Sequence, residues 1–139
     1  MNKLTYEEII RRDGKYIFTP VGTSMLPLLR QRRDTVLVED SFGIFKKNDV
    51  VLYKRKSGEY ILHRILKIEN DSFTMCGDNQ TDLEKGIGKE QILGVMTAFW
   101  RGEKMIKATA PLYRFYTCIW CCSLKLRKVM LSVYRRLFK

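Results

Sequence analysis

The chain has 139 residues, 45% of them hydrophobic, and a formal net charge of +11 at pH 7. That length accommodates one domain with a sizeable core and a short appendage, not several domains. The four cysteines, with Cys118, Cys121 and Cys122 crowded together, exclude a disulfide framework and read as reduced thiols facing the cytosol.

Met1 to Arg12 holds no apolar run, so neither a signal peptide nor an N-terminal membrane anchor is expected. Residues 3–12 read as a short helix. Thr5 is placed to cap it, Glu8 follows at capping-box spacing, and Asp13-Gly14 ends it. Tyr16 to Pro20 is an extended lead into a turn at Gly22-Thr23-Ser24-Met25. Pro27 to Leu29 starts a helical turn, and Arg30 to Arg33 stops it. Thr35–Glu39 and Asp49–Tyr53 are short β-branched runs, hence strands, and Lys56-Ser57-Gly58 signals a hairpin. Glu59 to Glu69 is a long strand, Asn70-Asp71-Ser72 a turn, and Phe73 to Cys76 a strand ending at Gly77-Asp78-Asn79. Residues 80–91 read as a polar loop. Ile92 to Trp100 and Lys104 to Lys107 are the last strands. Short strands parted by turn signals predict a compact, mainly β domain over residues 1–108.

Residues 109–139 form a basic tail whose start Pro111 marks. No acid follows Glu103, a balance that favours anionic lipid or nucleic acid. At ~100° per residue, Leu112, Phe115, Tyr116, Ile119, Trp120, Leu126, Met130, Val133, Tyr134 and Leu137 share one broad face. Arg114, Lys125, Lys128, Arg135, Arg136 and Lys139 lie opposite, and Arg127 is the exception. The longest uncharged run, Phe115 to Leu124, is ten residues, against the ~20 that a spanning helix needs. The expected element is a C-terminal basic amphipathic helix lying on an anionic membrane surface. It would make the protein peripheral at the cytoplasmic face. The competing reading is a helix docked on the β domain with its basic face in water.

Three features carry chemistry. Ser24 sits on a sharp turn between Gly22 and Pro27, with its own N–H open to an oxyanion; alone, it is an ordinary turn serine. His63 is the chain's single histidine and stands 39 residues after Ser24. Strand alternation puts Ile61, His63 and Ile65 on one face, an apolar setting in which an imidazole needs a partner. Asp78, Asp82 and Glu84 follow, and any of them could orient the imidazole. Asp78 could equally pin a loop through Asn79.

Gly22-x-Ser24-Met25-x-Pro27, Asp49-Val50-Val51, His63-Arg64-Ile65, Gly77-Asp78-Asn79 and Ile92-Leu93-Gly94-Val95 occur in that order. The series resembles the signal peptidase I superfamily, which also holds the self-cleaving repressor peptidases, and spans about residues 17–100. The resemblance implies that family's compact β fold, with Ser24 as nucleophile and His63 as base. Classical bacterial members carry lysine at the base position; the endoplasmic-reticulum and archaeal type carries histidine, as here. By the same resemblance Asp82 is the nearest match to the further acid, with Glu84 its competitor by spacing. Ser24 would attack a peptide carbonyl, His63 would take its proton, and Asp82 or Asp78 would hold the imidazole. The substrate would be a peptide or precursor protein lying extended beside a strand, with Val21, Met25 and Leu26 as pocket walls. No cofactor and no metal is expected.

Departures from the pattern are Gly22 where a hydroxyl residue often stands, Asn48 in place of a glycine, and the lack of substrate-side insertions and of an N-terminal membrane helix. They favour an alternative, a weak or inactive peptide-binding module of the same fold at a membrane surface. Nucleic acid is not the expected partner. Too few residues precede the core for a helix-turn-helix unit, and no aromatic-basic stacking pattern is present. The tail cysteines have a C-x-x-C look but lack further ligands nearby.

Overall fold

The structure, a computed structural model, describes residues 4–138. Lys3, at the head of the expected first helix, and Lys139, the last cation of the tail, lie outside the described residues.

The first helix, α1, runs Tyr6–Asp13. Its capping box forms as the sequence predicts, with the Glu8 N–H donating to Thr5 Oγ1 and the Thr5 N–H to the Glu8 carboxylate. Gly14 closes it at φ +76°. Eight strands follow: β1 Lys15–Phe18, β2 Asp34–Glu39, β3 Val50–Lys54, β4 Tyr60–Glu69, β5 Ser72–Cys76, β6 Glu84–Gly88, β7 Ile92–Arg101 and β8 Lys104–Lys107. Two helices end the chain, α2 Pro111–Cys121 and α3 Leu124–Leu137.

The strands make one antiparallel sheet in the order β1-β2-β7-β3-β4-β5-β6, with β8 added to β7. The long β7 is the hub, for it pairs with β2, β3 and β8. The mainly β fold expected from the sequence is therefore what the chain adopts.

Alternation along β3 shows how the core is divided. Val50 and Leu52 join Met25, Leu28, Leu29, Val36, Val38, Met96 and Phe99 in one cluster. Val51 and Tyr53 join Ile65, Phe73, Met75, Ile87 and Ile92 in another. Both faces of the central strands are thus covered, which is why β3 reads as a continuous apolar run.

Two expectations need correction. Residues 80–91 are not simply a polar loop. They contain β6 and a short 3-10 turn at Lys89–Gln91. β6 is short, polar and pairs only with β5, so composition hid it. The tail, likewise, is two helices and not one. Ser123 breaks it and caps α3 by accepting from the Leu126 N–H. Both helices pack on the β domain, through Tyr113 against Phe99, Trp120 on the Asp78 carbonyl and Arg127 on the Gly77 carbonyl, all three buried.

Candidate active site

The turn at residues 22–28 depends on Gly22, whose φ of +98° is left-handed backbone that glycine adopts without strain. The Gly22 N–H donates to Gln31 Oε1 at 2.8 Å. Ser24 follows, half-buried, while Met25 turns into the core. Thr23 is exposed, and its carbonyl accepts from Asn79 Nδ2 at 3.1 Å.

The Gly77-Asp78-Asn79 turn clasps this serine turn. The Asn79 N–H donates to the Ser24 carbonyl at 2.9 Å, and the Asp78 N–H reaches Met25 Sδ at 3.4 Å. Gly77 lies close to both the Ser24 backbone and the His63 ring. A β-carbon built there would stand 2.5 Å from the Ser24 carbonyl oxygen and 3.1 Å from His63 Cδ2. The imidazole thus presents Cδ2 to Gly77, on the side of the ring away from the Nδ1 that faces Tyr53. No hydrogen bond joins Ser24 Oγ to His63 among the described residues, and the Ser24 N–H has no acceptor there either.

His63 is buried in β4, paired with Val51 of β3. Its Nδ1 stands 3.3 Å from the Tyr53 hydroxyl. Tyr53 in turn donates to Glu84 Oε1 at 2.5 Å. Arg55 grips the same carboxylate, with Nε on Oε2 at 2.9 Å and Nη2 on Oε1 at 3.1 Å. Burial, with help from the Arg55 charge, pushes the His63 pKa down from 6.5 to about 4, although the Glu84 and Asp78 charges oppose it. The imidazole is therefore neutral at neutral pH and free to accept a proton. Burial raises the Glu84 carboxyl, but the bonds from Arg55 and Tyr53 outweigh it and hold the group below its usual range.

The acids sort differently from their expected order. Asp78 does not bond to His63. It is fully buried and bidentate with Arg64, at 2.8 Å for both bonds. It also accepts from the Tyr116 hydroxyl at 2.8 Å, and its carbonyl from Trp120 Nε1 at 2.7 Å. Arg64 is wholly buried as well and bonds the Asn48 carbonyl at 2.7 Å. This pair anchors the Gly-Asp-Asn turn, and no hydrogen bond joins Asp78 to the imidazole among the described residues. Asp82 is exposed and bonds to no described residue. Glu84, the competitor by spacing, is the carboxylate behind His63, reached through Tyr53.

Sequence reasoning missed Tyr53 and Arg55. The signal was available in the hairpin at Lys56-Ser57-Gly58. Its register pairs Val51 with His63 and Tyr53 with Ile61. That sets Tyr53 diagonal to His63 on one face.

The three residues expected as pocket walls differ in burial. Val21 is 93% exposed, Met25 is in the core and Leu26 is half-buried. Asn48 does adopt positive φ, at +77°, in place of the expected glycine. Among the described residues no cluster of three or more His, Cys, Asp or Glu forms a metal site, and all four cysteines are free.

The tail also touches this region. Arg127 is fully buried and donates to the carbonyls of Trp120, Gly77 and Gln80 at 2.9 to 3.4 Å. Arg135 Nη2 donates to both the carbonyl and Oδ1 of Asn79, each at 3.1 Å. The turn that holds Ser24 is therefore itself held by α3.

No family model, no curated protein and no solved structure matches this chain.

Proposed function

We propose that the chain is a serine endopeptidase of signal-peptidase-like type that cleaves a peptide or precursor protein with Ser24 and His63. The observation that carries the reading is the convergence on Gly77. The chain's one histidine brings its Cδ2 to the same point that the Ser24 carbonyl oxygen approaches. Both groups also lie where the ordered motifs resembling that superfamily require them.

The chemistry follows from the groups. Ser24 Oγ attacks the peptide carbonyl carbon as His63 Nε2 takes the hydroxyl proton. The Ser24 N–H, which bonds no described acceptor, is the group that would stabilise the oxyanion. The imidazolium then gives its proton to the leaving amine. Water, deprotonated by the same nitrogen, hydrolyses the acyl ester. The Ser24 hydroxyl in the free protein is not yet bonded to His63, a looseness common in sites without substrate.

The test is digestion of a proteome-derived peptide mixture, read by mass spectrometry for new termini. The wild-type chain should produce them, and Ser24→Ala and His63→Ala should not. Equal products from all three would overturn the proposal. The same missing Ser24–His63 bond favours a second reading, a weak or inactive peptide-binding module. In that case Ser24→Ala would still capture peptides and no chain would cut them.

The site is further proposed to work at a membrane surface, with the protein peripheral at the cytoplasmic face. Among the described residues no helix is long and apolar enough to cross a membrane. Leu112 and Phe115 of α2, and Val129, Val133 and Leu137 of α3, are exposed beside Lys125, Lys128 and Arg136. Exposed apolar groups amid cations, with no acid among them, suit an anionic interface.

A further inference from the structure

We propose that Tyr53 and Glu84 are positioning residues that fix His63 in the tautomer carrying its proton on Nδ1, so that Nε2 is left as the bare, basic nitrogen. The proton inventory forces this direction. Glu84 receives two bonds from Arg55 and one from Tyr53, so it is a carboxylate and can only accept. The Tyr53 hydroxyl has a single proton, and the 2.5 Å bond directs it to Glu84. The phenol stays protonated, because burial first and the hydrogen bond to Glu84 second push its pKa far above the usual value. Toward His63 the Tyr53 oxygen is then an acceptor. The partner at 3.3 Å must supply a proton, and that partner is Nδ1.

The two strands hold this chain of bonds in place. Tyr53 is wholly buried and diagonal to His63 across the β3–β4 register. Glu84 opens β6 opposite Met75 of β5, on the far side of β4 from β3. Arg55 is fixed from its other end by Glu59, Nη1 to Oε2 at 3.0 Å. The charged and titratable groups that act on the imidazole are thus Tyr53 and Arg55 from the β3 side, Glu84 from β6 and Asp78 from the turn after β5.

The arrangement differs from a carboxylate bonded directly to the imidazole. A phenol stands between the two, so the base is oriented without a full negative charge in contact with it. That agrees with an imidazole held neutral, and it leaves the Nε2 lone pair as the ring's basic site. The kinetic consequence rests on the Ser24–His63 reading; the tautomer does not.

Because His63 is the only histidine, the nitrogen spectrum of the 15N-labelled full chain contains a single imidazole. At pH 7 the expected result is a protonated Nδ1 and an unprotonated Nε2. Tyr53→Phe keeps the ring and removes the acceptor, and should move the proton to Nε2. Glu84→Gln should move it part of the way, and gives the same readout if the Phe variant fails to fold. A wild-type imidazole protonated on Nε2 overturns the proposal, as does a tautomer unchanged in both variants. On a peptide that the wild type cleaves, Tyr53→Phe should lower kcat by about 10²-fold with KM unchanged, the lower range of what a general base contributes. Full kcat in that variant would overturn the positioning role. If no peptide is cleaved at all, the peptidase reading fails and the tautomer still decides this proposal.

Discussion

The Ser24 carbonyl oxygen and Gly77 approach so closely that no side chain fits between them. A β-carbon at residue 77 would stand 2.5 Å from that oxygen and 3.1 Å from His63 Cδ2. Neither neighbour is a flexible tip. One is backbone held by Asn79, the other a buried ring. Gly77→Ala must therefore push the serine turn and the imidazole apart. Overpacking of this kind costs roughly 1–3 kcal/mol. We expect a stability loss in that range by urea denaturation, and a loss of cleavage far larger than the unfolded fraction explains. Unchanged cleavage would show that the two groups do not work together.

Two aspartates that look alike in sequence should behave differently. Asp78 is sealed in a buried pair with Arg64. Asp78→Asn removes the carboxylate that alone among the described residues bonds that guanidinium, and an uncompensated buried charge costs about 3–5 kcal/mol. Asp82 is exposed without a described partner. Asp82→Asn should change stability by no more than about 0.5 kcal/mol and leave cleavage intact. Denaturant midpoints and peptide digestion of both variants check this. A large loss of cleavage in Asp82→Asn with normal stability would return that residue to the catalytic set.

Much of this architecture was legible in the chain, for local reasons. Thr5 and Glu8, Gly58, Asn48 and the β-branched runs each encode structure within a few residues, and each appears where expected. What was hidden depends on packing between distant segments. β6 carries little apolar periodicity, because the strand is an edge held by β5 alone. Arg127 stood out as the cation on the wrong face of the tail, and the reason is burial against the carbonyls of Gly77 and Gln80. The acid behind His63 could not be chosen by spacing. Glu84 is selected by Arg55 and Tyr53, which the β3–β4 register brings to it.

The pH dependence of cleavage should report the burial of His63. An ordinary histidine base gives an acid limb near 6.5. Here burial moves the pKa down to about 4. Protonation removes the lone pair that receives the serine proton, so kcat/KM should rise with pH through about 4 and be level by pH 6. The folded pKa lies below the unfolded one, so the unfolded chain binds this proton first as pH falls. Stability attributable to His63 is therefore present above 6.5 and declines from there toward 4. An acid limb near 6.5 for kcat/KM would mean that the working imidazole is in water.

The tail gives the membrane proposal a charge-dependent and an apolar arm. Arg127 is buried and Arg135 bonds Asn79, so neither is free for lipid. Arg114, Lys125, Lys128 and Arg136 are exposed. At ~1 kcal/mol per cation near an anionic surface, they supply roughly 4 kcal/mol. Sedimentation with vesicles of mixed phosphatidylglycerol and phosphatidylcholine should carry the protein down at low salt and release much of it at high salt, where the screening length is a few ångström. Vesicles of phosphatidylcholine alone should bind less. The apolar arm is read by Phe115→Asp combined with Val133→Asp, both at exposed positions. That variant should keep its melting temperature and lose the vesicle pellet even at low salt. Binding that persists in the double variant would reduce the interaction to charge alone, and no binding by the wild type to anionic vesicles would leave α2 and α3 solely as the clamp on the Gly77 turn.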